Sequence, residues 1–227
     1  MLTGHLEGIE PDLVVVGRLV APGDTVLDVG ANYGIYTKFL SDLVGVGGRV
    51  ISLEPIPETF DLLAANVASL GLSNVRLHQR AASDHIGTVG MIVPNTAEGA
   101  NYYQARVVEG PSRNACSVVT TTLDLLTQDD SERVTFIKCD VEGHELAVLR
   151  GAQRLLRDRR PALLVEVAGD PDEAGSQANV LFADLRSLSY SAYVRREDRV
   201  VSRSPGDRVV NYFFLQADQA EALLLDG

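Results

Sequence analysis

Short runs of Val, Leu and Ile alternate with helical patterns along most of the chain, the mark of a parallel sheet covered on both faces. The apolar runs are Thr25–Val29, Arg49–Leu53, Val75–Arg80, Val134–Cys139 and Ala162–Val167. Their near-continuous apolar character is what strands buried on both faces require. Between them, Phe60, Leu63, Ala64, Val67 and Leu70 recur at helical spacing, and Gly71 follows as a stop. Leu146, Leu149, Ala152, Leu155 and Leu156 repeat the pattern ahead of Pro161. These faces are assigned to the core.

The middle of the chain departs from this alternation. Thr88–Val93 and Ser117–Thr121 read as extra strands flanking Pro94–Ala115, a stretch of Gly, Pro, Asn and Tyr without periodicity. The spacing predicts a long loop or pair of loops there, of the kind that forms lids and binding surfaces. Gly169–Ala178 is a second polar loop, followed by a helix and two closing strands, Tyr190–Arg195 and Arg208–Leu215. Arg195, Arg196, Arg199 and Arg203 crowd together, but Glu197, Asp198 and Asp207 interleave with them, which describes a solvated hairpin better than an anion site. With no repeat and no linker, residues 1–227 form a single domain. Residues 1–21 are expected to be one leading helix over the ligand crevice, and 94–115 the variable substrate loop.

Composition narrows the function classes. A chain of 227 residues buries a sizeable core without staples. Its formal charge of -11 argues against nucleic acid, whose phosphates are bound by Lys and Arg. No run approaches the ~20 apolar residues of a membrane span, and the N-terminus lacks a basic flank leading into an apolar run. Cys116 and Cys139 make no disulfide framework or metal pattern, as expected of a reducing compartment. The expected location is the cytoplasm, with no nucleic-acid or membrane partner; oligomeric state is left open.

The strongest local signal is Asp28-Val29-Gly30-Ala31-Asn32-Tyr33-Gly34, between an apolar strand and a helix. Glycines there permit a sharp turn and close approach of a ligand. The placement matches the strand-to-helix crevice where such sheets bind nucleotide-like ligands. The spacing is not GxGxxG, and its leading residue is acidic. A pyrophosphate would be repelled by Asp28, whereas a sulfonium with an amino-acid tail would be favoured. On charge grounds this selects S-adenosylmethionine over NAD. Glu54 closes the second strand twenty-four residues after Gly30, where an acid can accept hydrogen bonds from both ribose hydroxyls. Ala81-Ala82-Ser83-Asp84 ends the third strand at the same edge, facing the adenine.

The run from Phe136 through Ile137-Lys138-Cys139-Asp140-Val141-Glu142-Gly143-His144-Glu145 to Ala152 closely resembles the signature of FkbM-type methyltransferases. Thr122-Leu123-Asp124, Leu164-Val165-Glu166-Val167 and Asn211-Tyr212-Phe213-Phe214 fit the same family. The resemblance implies an α/β, Rossmann-like class I methyltransferase fold: a seven-stranded, mostly parallel sheet with an antiparallel last strand and helices on both faces. It implies S-adenosylmethionine as cofactor and a small-molecule acceptor, typically a hydroxyl or carboxyl group of a sugar, polyketide or other secondary metabolite. Its cofactor roles fall on Asp28, Gly30, Asn32, Gly34, Glu54 and Ser83. The stretch Pro94–Ala115 shares no pattern with the family, so the acceptor is not named.

For an alcohol acceptor a general base within hydrogen-bond reach takes the proton as the bond forms. Asp140, Glu142 and His144 cluster after the fourth strand, and Glu166 ends the fifth. His144 is the first choice for base, since an imidazole titrates near neutrality; packing or capping on the helix is its alternative. Asp140 faces the cofactor or acceptor. Glu142 either joins the chemistry or accepts backbone N–H groups at the helix start. A further reading makes Asp140, Glu142 and Glu166 oxygen ligands for Mg²⁺; it is not favoured, because Val167 stands where metal-dependent relatives of the fold carry an Asn. Two other functions stay open: a silent methyltransferase-fold binding subunit, and a nucleotide-dependent oxidoreductase. The latter lacks a phosphate-cradling turn and a Tyr-x-x-x-Lys pair.

Overall fold

The computed structural model describes residues 10–96, 99–108, 115–128 and 133–225. The first half alternates as the pattern predicts: helix α1 (Leu13–Leu19), β1 (Thr25–Val29), α2 (Ile35–Val44), β2 (Arg49–Leu53), α3 (Pro57–Ser69) and β3 (Val75–His78). After the middle come α4 (Leu123–Leu126), β10 (Val134–Cys139), α5 (Glu145–Arg150), α6 (Gln153–Asp158), β11 (Ala162–Glu166), α7 (Gln177–Ser187), β12 (Ser191–Arg196), β13 (Arg199–Ser202), β14 (Asn211–Leu215) and α8 (Ala217–Leu225).

The main sheet runs β13-β12-β14-β11-β10-β1-β2-β3. Strand β14 is antiparallel to both β11 and β12, the reversal expected of the closing strand. The sheet has eight strands rather than seven, because the arginine-rich hairpin contributes an edge strand: Arg199–Ser202 pairs antiparallel with β12. Two more expectations need correcting. The leading helix covers only Leu13–Leu19, and residues 1–9 lie outside the described part. The stretch Pro94–Ala115 is not loop throughout: it carries the short strands β6 (Asn95–Thr96) and β7 (Gly99–Ala100), a turn of 3₁₀ helix at Tyr102–Gln104 and β8 (Arg106–Val108).

Strands β6 and β7 pair only with each other, whereas β8 joins a second sheet ordered β4-β9-β5-β8, with β4 at Ala81–Ala82, β5 at Gly87–Ile92 and β9 at Cys116–Thr121. The apolar run Val75–Arg80 is not one strand: the chain leaves the main sheet after His78, and Ala81 pairs with Thr120 instead.

Strand alternation sends side chains to opposite faces. In β1, Leu27 and Val29 join a core under α5, α6 and α7, where Phe182 packs edge-on against Tyr212 at 5.0 Å and Phe214 at 4.9 Å. Val26 joins Phe136 and Phe213 in a second core under α1, α2 and α8. Asp28 necessarily follows Val26 to that second face. Chain order places β2 and β3 on one side of β1 and β10 and β11 on the other. The connections therefore diverge at the carboxyl ends of β1 and β10 and open a crevice there.

Candidate functional site

The crevice is a cavity of about 270 Å³, floored by the strand ends of the main sheet and walled by Met91 and Val107 of the second sheet and by Tyr102 of the 3₁₀ turn. Its floor begins at the glycine turn. Gly30 has φ +78°, and a Cβ there would lie 1.8 Å from the Asp140 carbonyl oxygen. The glycine thus serves close contact between the β1 and β10 turns, in addition to the turn itself. Gly34, at φ +95°, caps the start of α2 and does not line the cavity.

Asp28 also lies beneath the floor. Its carboxylate accepts a hydrogen bond from Thr37 Oγ1 at 2.6 Å and lies 3.8 Å from Lys138 Nζ. Register explains the meeting: Asp28 pairs with Lys138 on one side and Ser52 on the other, and Ser52 Oγ is 2.9 Å from Thr37 Oγ1. Burial pushes the Asp28 carboxyl above its ordinary range, with Lys138 opposing. Asp28 therefore anchors a buried polar row rather than offering its charge to the cavity, and the direct attraction for a sulfonium expected from its position is not what the geometry provides.

Lys138, passed over in the sequence, is the row's other end. Nζ donates to the Gly30 carbonyl at 3.0 Å, lies 3.2 Å from Asp140 Oδ2, and sits 5.1 Å from the centre of the Tyr36 ring. One signal was available: Lys138 is one of two lysines in the chain, and alternation places it on the same face as Asp140.

Asn32 and Glu54 line the cavity together. Asn32 adopts φ +49°, and its N–H donates to Glu54 Oε2 at 3.0 Å; the Ile56 N–H donates to Oε1 at 2.9 Å. Burial pushes the Glu54 carboxyl up to about 7 despite these bonds. Each Glu54 oxygen keeps a lone pair for a further donor. The side-chain Oδ1 of Asn32 is buried without a protein donor. An acid with spare acceptor capacity beside an orphaned amide oxygen suits the ribose hydroxyls and amine donors of an adenosyl ligand, so these residues fit that cofactor.

The catalytic candidates divide into two groups. Oxygens of Asp140, Glu142 and Glu166 all lie within 4.8 Å of one another. Burial, then the charges of Asp140 and Glu142, push the Glu166 carboxyl up to about 7. Glu142 has φ +54° and does not cap the helix; Glu145, its first residue, accepts from Gly143 N at 2.9 Å and Val141 N at 3.3 Å and so braces the turn ahead of it. His144 also lines the cavity, but its Nε2 is 3.0 Å from Ser83 Oγ. Its ionisable neighbours are Asp84 and His85, and burial holds its pKa below the ordinary value. Ser83 is fully buried and touches His144 rather than the cavity, where adenine contact was expected. Cys139 is buried, with its thiol pushed far up, and takes no part. No helix among the described residues is long and apolar enough to cross a membrane.

Comparison with known proteins gives this geometry a context. The methyltransferase FkbM domain matches residues 28–196. The 31-O-demethyl-FK506 methyltransferase FkbM of Streptomyces tacrolimicus is 28% identical over 165 residues, 60% of this chain and 62% of that protein. The hexuronic acid methyltransferase AglP of Haloferax volcanii is 26% identical over 81% of this chain and 72% of its own. The crystal structure of a methyltransferase FkbM from Methylobacillus flagellatus superimposes with TM-score 0.54 at 18% identity, over 84% of this chain and 43% of that one. The chain thus spans less than two thirds of the first and third of these relatives.

Proposed function

The chain belongs to the FkbM methyltransferase family, and from that premise we propose that it transfers the methyl group of S-adenosylmethionine to an oxygen of a small molecule, a hydroxyl in preference to a carboxyl group. The observation that carries this reading is that one cavity is lined by Asn32 and Glu54, beyond β1 and β2, and by the Asp140, Glu142 and Glu166 cluster at the ends of β10 and β11. Two of the relatives carry 31-O-demethyl-FK506 and hexuronic acid in their names, which supports a small-molecule acceptor.

When bound, the cofactor supplies a methyl carbon already activated by its sulfonium. The protein's share is positioning and proton handling. Glu54 and Asn32 accept the ribose and amine donors. Met91, Tyr102 and Val107 form an apolar wall that limits water around the reacting atoms. Glu166 takes the acceptor's proton, because its pKa of about 7 matches neutral operation. Asp140, ion-paired with Lys138 at 3.2 Å, orients the acceptor hydroxyl. His144, drawn towards Ser83, serves the adenine side of the cavity instead.

A divalent cation on the three carboxylates is the competing arrangement. It is disfavoured because it would face the Lys138 ammonium that Asp140 already holds. Titration calorimetry with S-adenosylhomocysteine, followed by turnover of alcohol acceptors with and without Mg²⁺ after chelation, tests both. Micromolar binding, on the order of -8 kcal/mol, and metal-independent turnover support the proposal. Turnover that requires Mg²⁺ selects the cation; binding without turnover of any acceptor selects a silent binding subunit.

A further inference from the structure

Glu10 enters the cavity wall from the segment ahead of α1, outside the residues the family match covers. Its carboxylate is half-buried, and among the described residues its one hydrogen-bond donor is the Tyr36 hydroxyl at a long 3.4 Å. Glu10 forms no ion pair within the described residues. The nearby cation, Lys138, is committed to the Gly30 carbonyl, Asp140 and Asp28. A carboxylate facing a cavity in this state lacks a counter-ion, and burial accordingly pushes its pKa up.

Its location specifies the missing cation. Tyr36 belongs to the first turn of α2, and Lys138 and Asp140 to the end of β10, so Glu10 stands on the β10 side of the Gly30 turn. Glu54 stands on the other side, at the end of β2. A ligand with its ribose at Glu54 that crosses the Gly30–Asn32 turn brings the end of its amino-acid tail to Glu10. That tail carries an α-ammonium. The segment is also fixed for such a role. The Leu13 N–H donates to the Glu10 carbonyl at 3.1 Å, and Asp12 accepts from Arg195 Nε at 2.9 Å and Asn211 Nδ2 at 2.7 Å, which clamps the turn to β12 and β14.

We propose that Glu10 is the counter-ion of the cofactor's methionyl ammonium, completing the binding site from the segment before the first helix. The proposal rests on the S-adenosylmethionine reading above and deepens it.

The test is titration calorimetry on the full chain, wild type and Glu10→Gln, with two probes. One is S-adenosylhomocysteine; the other is its deamino analogue, which keeps the adenosine and carboxylate and lacks the ammonium. Wild type should prefer S-adenosylhomocysteine about tenfold, and Glu10→Gln should erase that preference by weakening S-adenosylhomocysteine alone, the size expected of one charge-assisted hydrogen bond. Unchanged melting temperature of the variant confirms that the fold is intact. Equal weakening of both probes, or unaltered S-adenosylhomocysteine binding by Glu10→Gln, overturns the assignment. Failure of wild type to bind either probe overturns the cofactor reading itself and Glu10's part with it, and it is told apart because it appears without any substitution.

Discussion

Ser83 Oγ and His144 Nε2 lie 3.0 Å apart, which ties the residue following β4 to the residue that opens α5. The bond holds the imidazole on the side of Asp84 and His85, whereas Glu166 shares its electrostatic surroundings with Asp140 and Glu142. The two candidate bases should therefore respond differently to removal. Glu166→Gln should lower kcat by about 100-fold or more, the range for loss of a general base. His144→Ala should lower kcat less than tenfold and act mainly through cofactor affinity. Steady-state kinetics with a turned-over acceptor checks this, and a larger kcat loss in His144→Ala restores the imidazole as base.

The pH profile carries the same distinction. Glu166 must be deprotonated to act, so activity should rise with pH through a limb near its pKa of about 7. The negative charges of Asp140 and Glu142 help to hold that value up. Glu142→Gln removes one of them, so its limb should move towards acid. A limb that stays in place in Glu142→Gln would show that another group sets it.

Lys138 supports a stability prediction. It lies against two carboxylates, and Asp28 beside it is fully buried with Oδ1 lacking a hydrogen bond. Lys138→Met leaves Asp28 uncompensated in the core and should cost about 3–5 kcal/mol, the usual penalty for breaking a buried pair from one side. Urea unfolding measures it. The double variant Lys138→Met/Asp28→Asn should recover part of the loss, since both charges are then gone.

Much of this arrangement was legible in the sequence where one residue type answers one physical demand. Short runs rich in Val, Leu and Ile mark β1, β2 and β10 to the residue, because strands buried on both faces are mostly apolar. Glu54 was placed on the cavity by its position at a strand end. What escaped depended on pairing between distant segments. Whether Asp28 faces ligand or core is decided by register with Lys138, over a hundred residues away, and by Thr37 on α2. The eighth strand escaped because charges on Arg199 and its neighbours mask a short edge strand, as edge strands commonly are. Ser83 was assigned to adenine from chain order alone, and only the turn after β10 shows that His144 meets it.

Gly30 makes a sharper test than a helix or strand substitution. Its φ of +78° and the 1.8 Å approach of a Cβ to the Asp140 carbonyl together exclude a side chain. Gly30→Ala should push the Asp140–Glu142 turn away from β1, lose about 1–3 kcal/mol of stability to backbone strain, and abolish measurable S-adenosylhomocysteine binding. Calorimetry alongside thermal melting separates the two effects. Binding retained in a folded Gly30→Ala protein would contradict the contact.

Glu54 links the site to pH-dependent stability. Its folded pKa of about 7 lies above its ordinary 4.5, so the folded state binds more protons than the unfolded state between these values. Stability then falls as pH rises across that window, and the loss is complete once pH exceeds the folded value. The cause is burial, which outweighs the hydrogen bonds from Asn32 and Ile56. The ligand-free protein should thus melt at a higher temperature near pH 5 than near pH 8, by about 2–4 °C for each kcal/mol involved. Glu54→Gln should flatten this slope while lowering the plateau, since an amide has a single oxygen for two N–H groups. Glu166 titrates in the same direction and should leave a residual slope in that variant. A Glu54→Gln protein with the full wild-type slope would place the titrating group elsewhere.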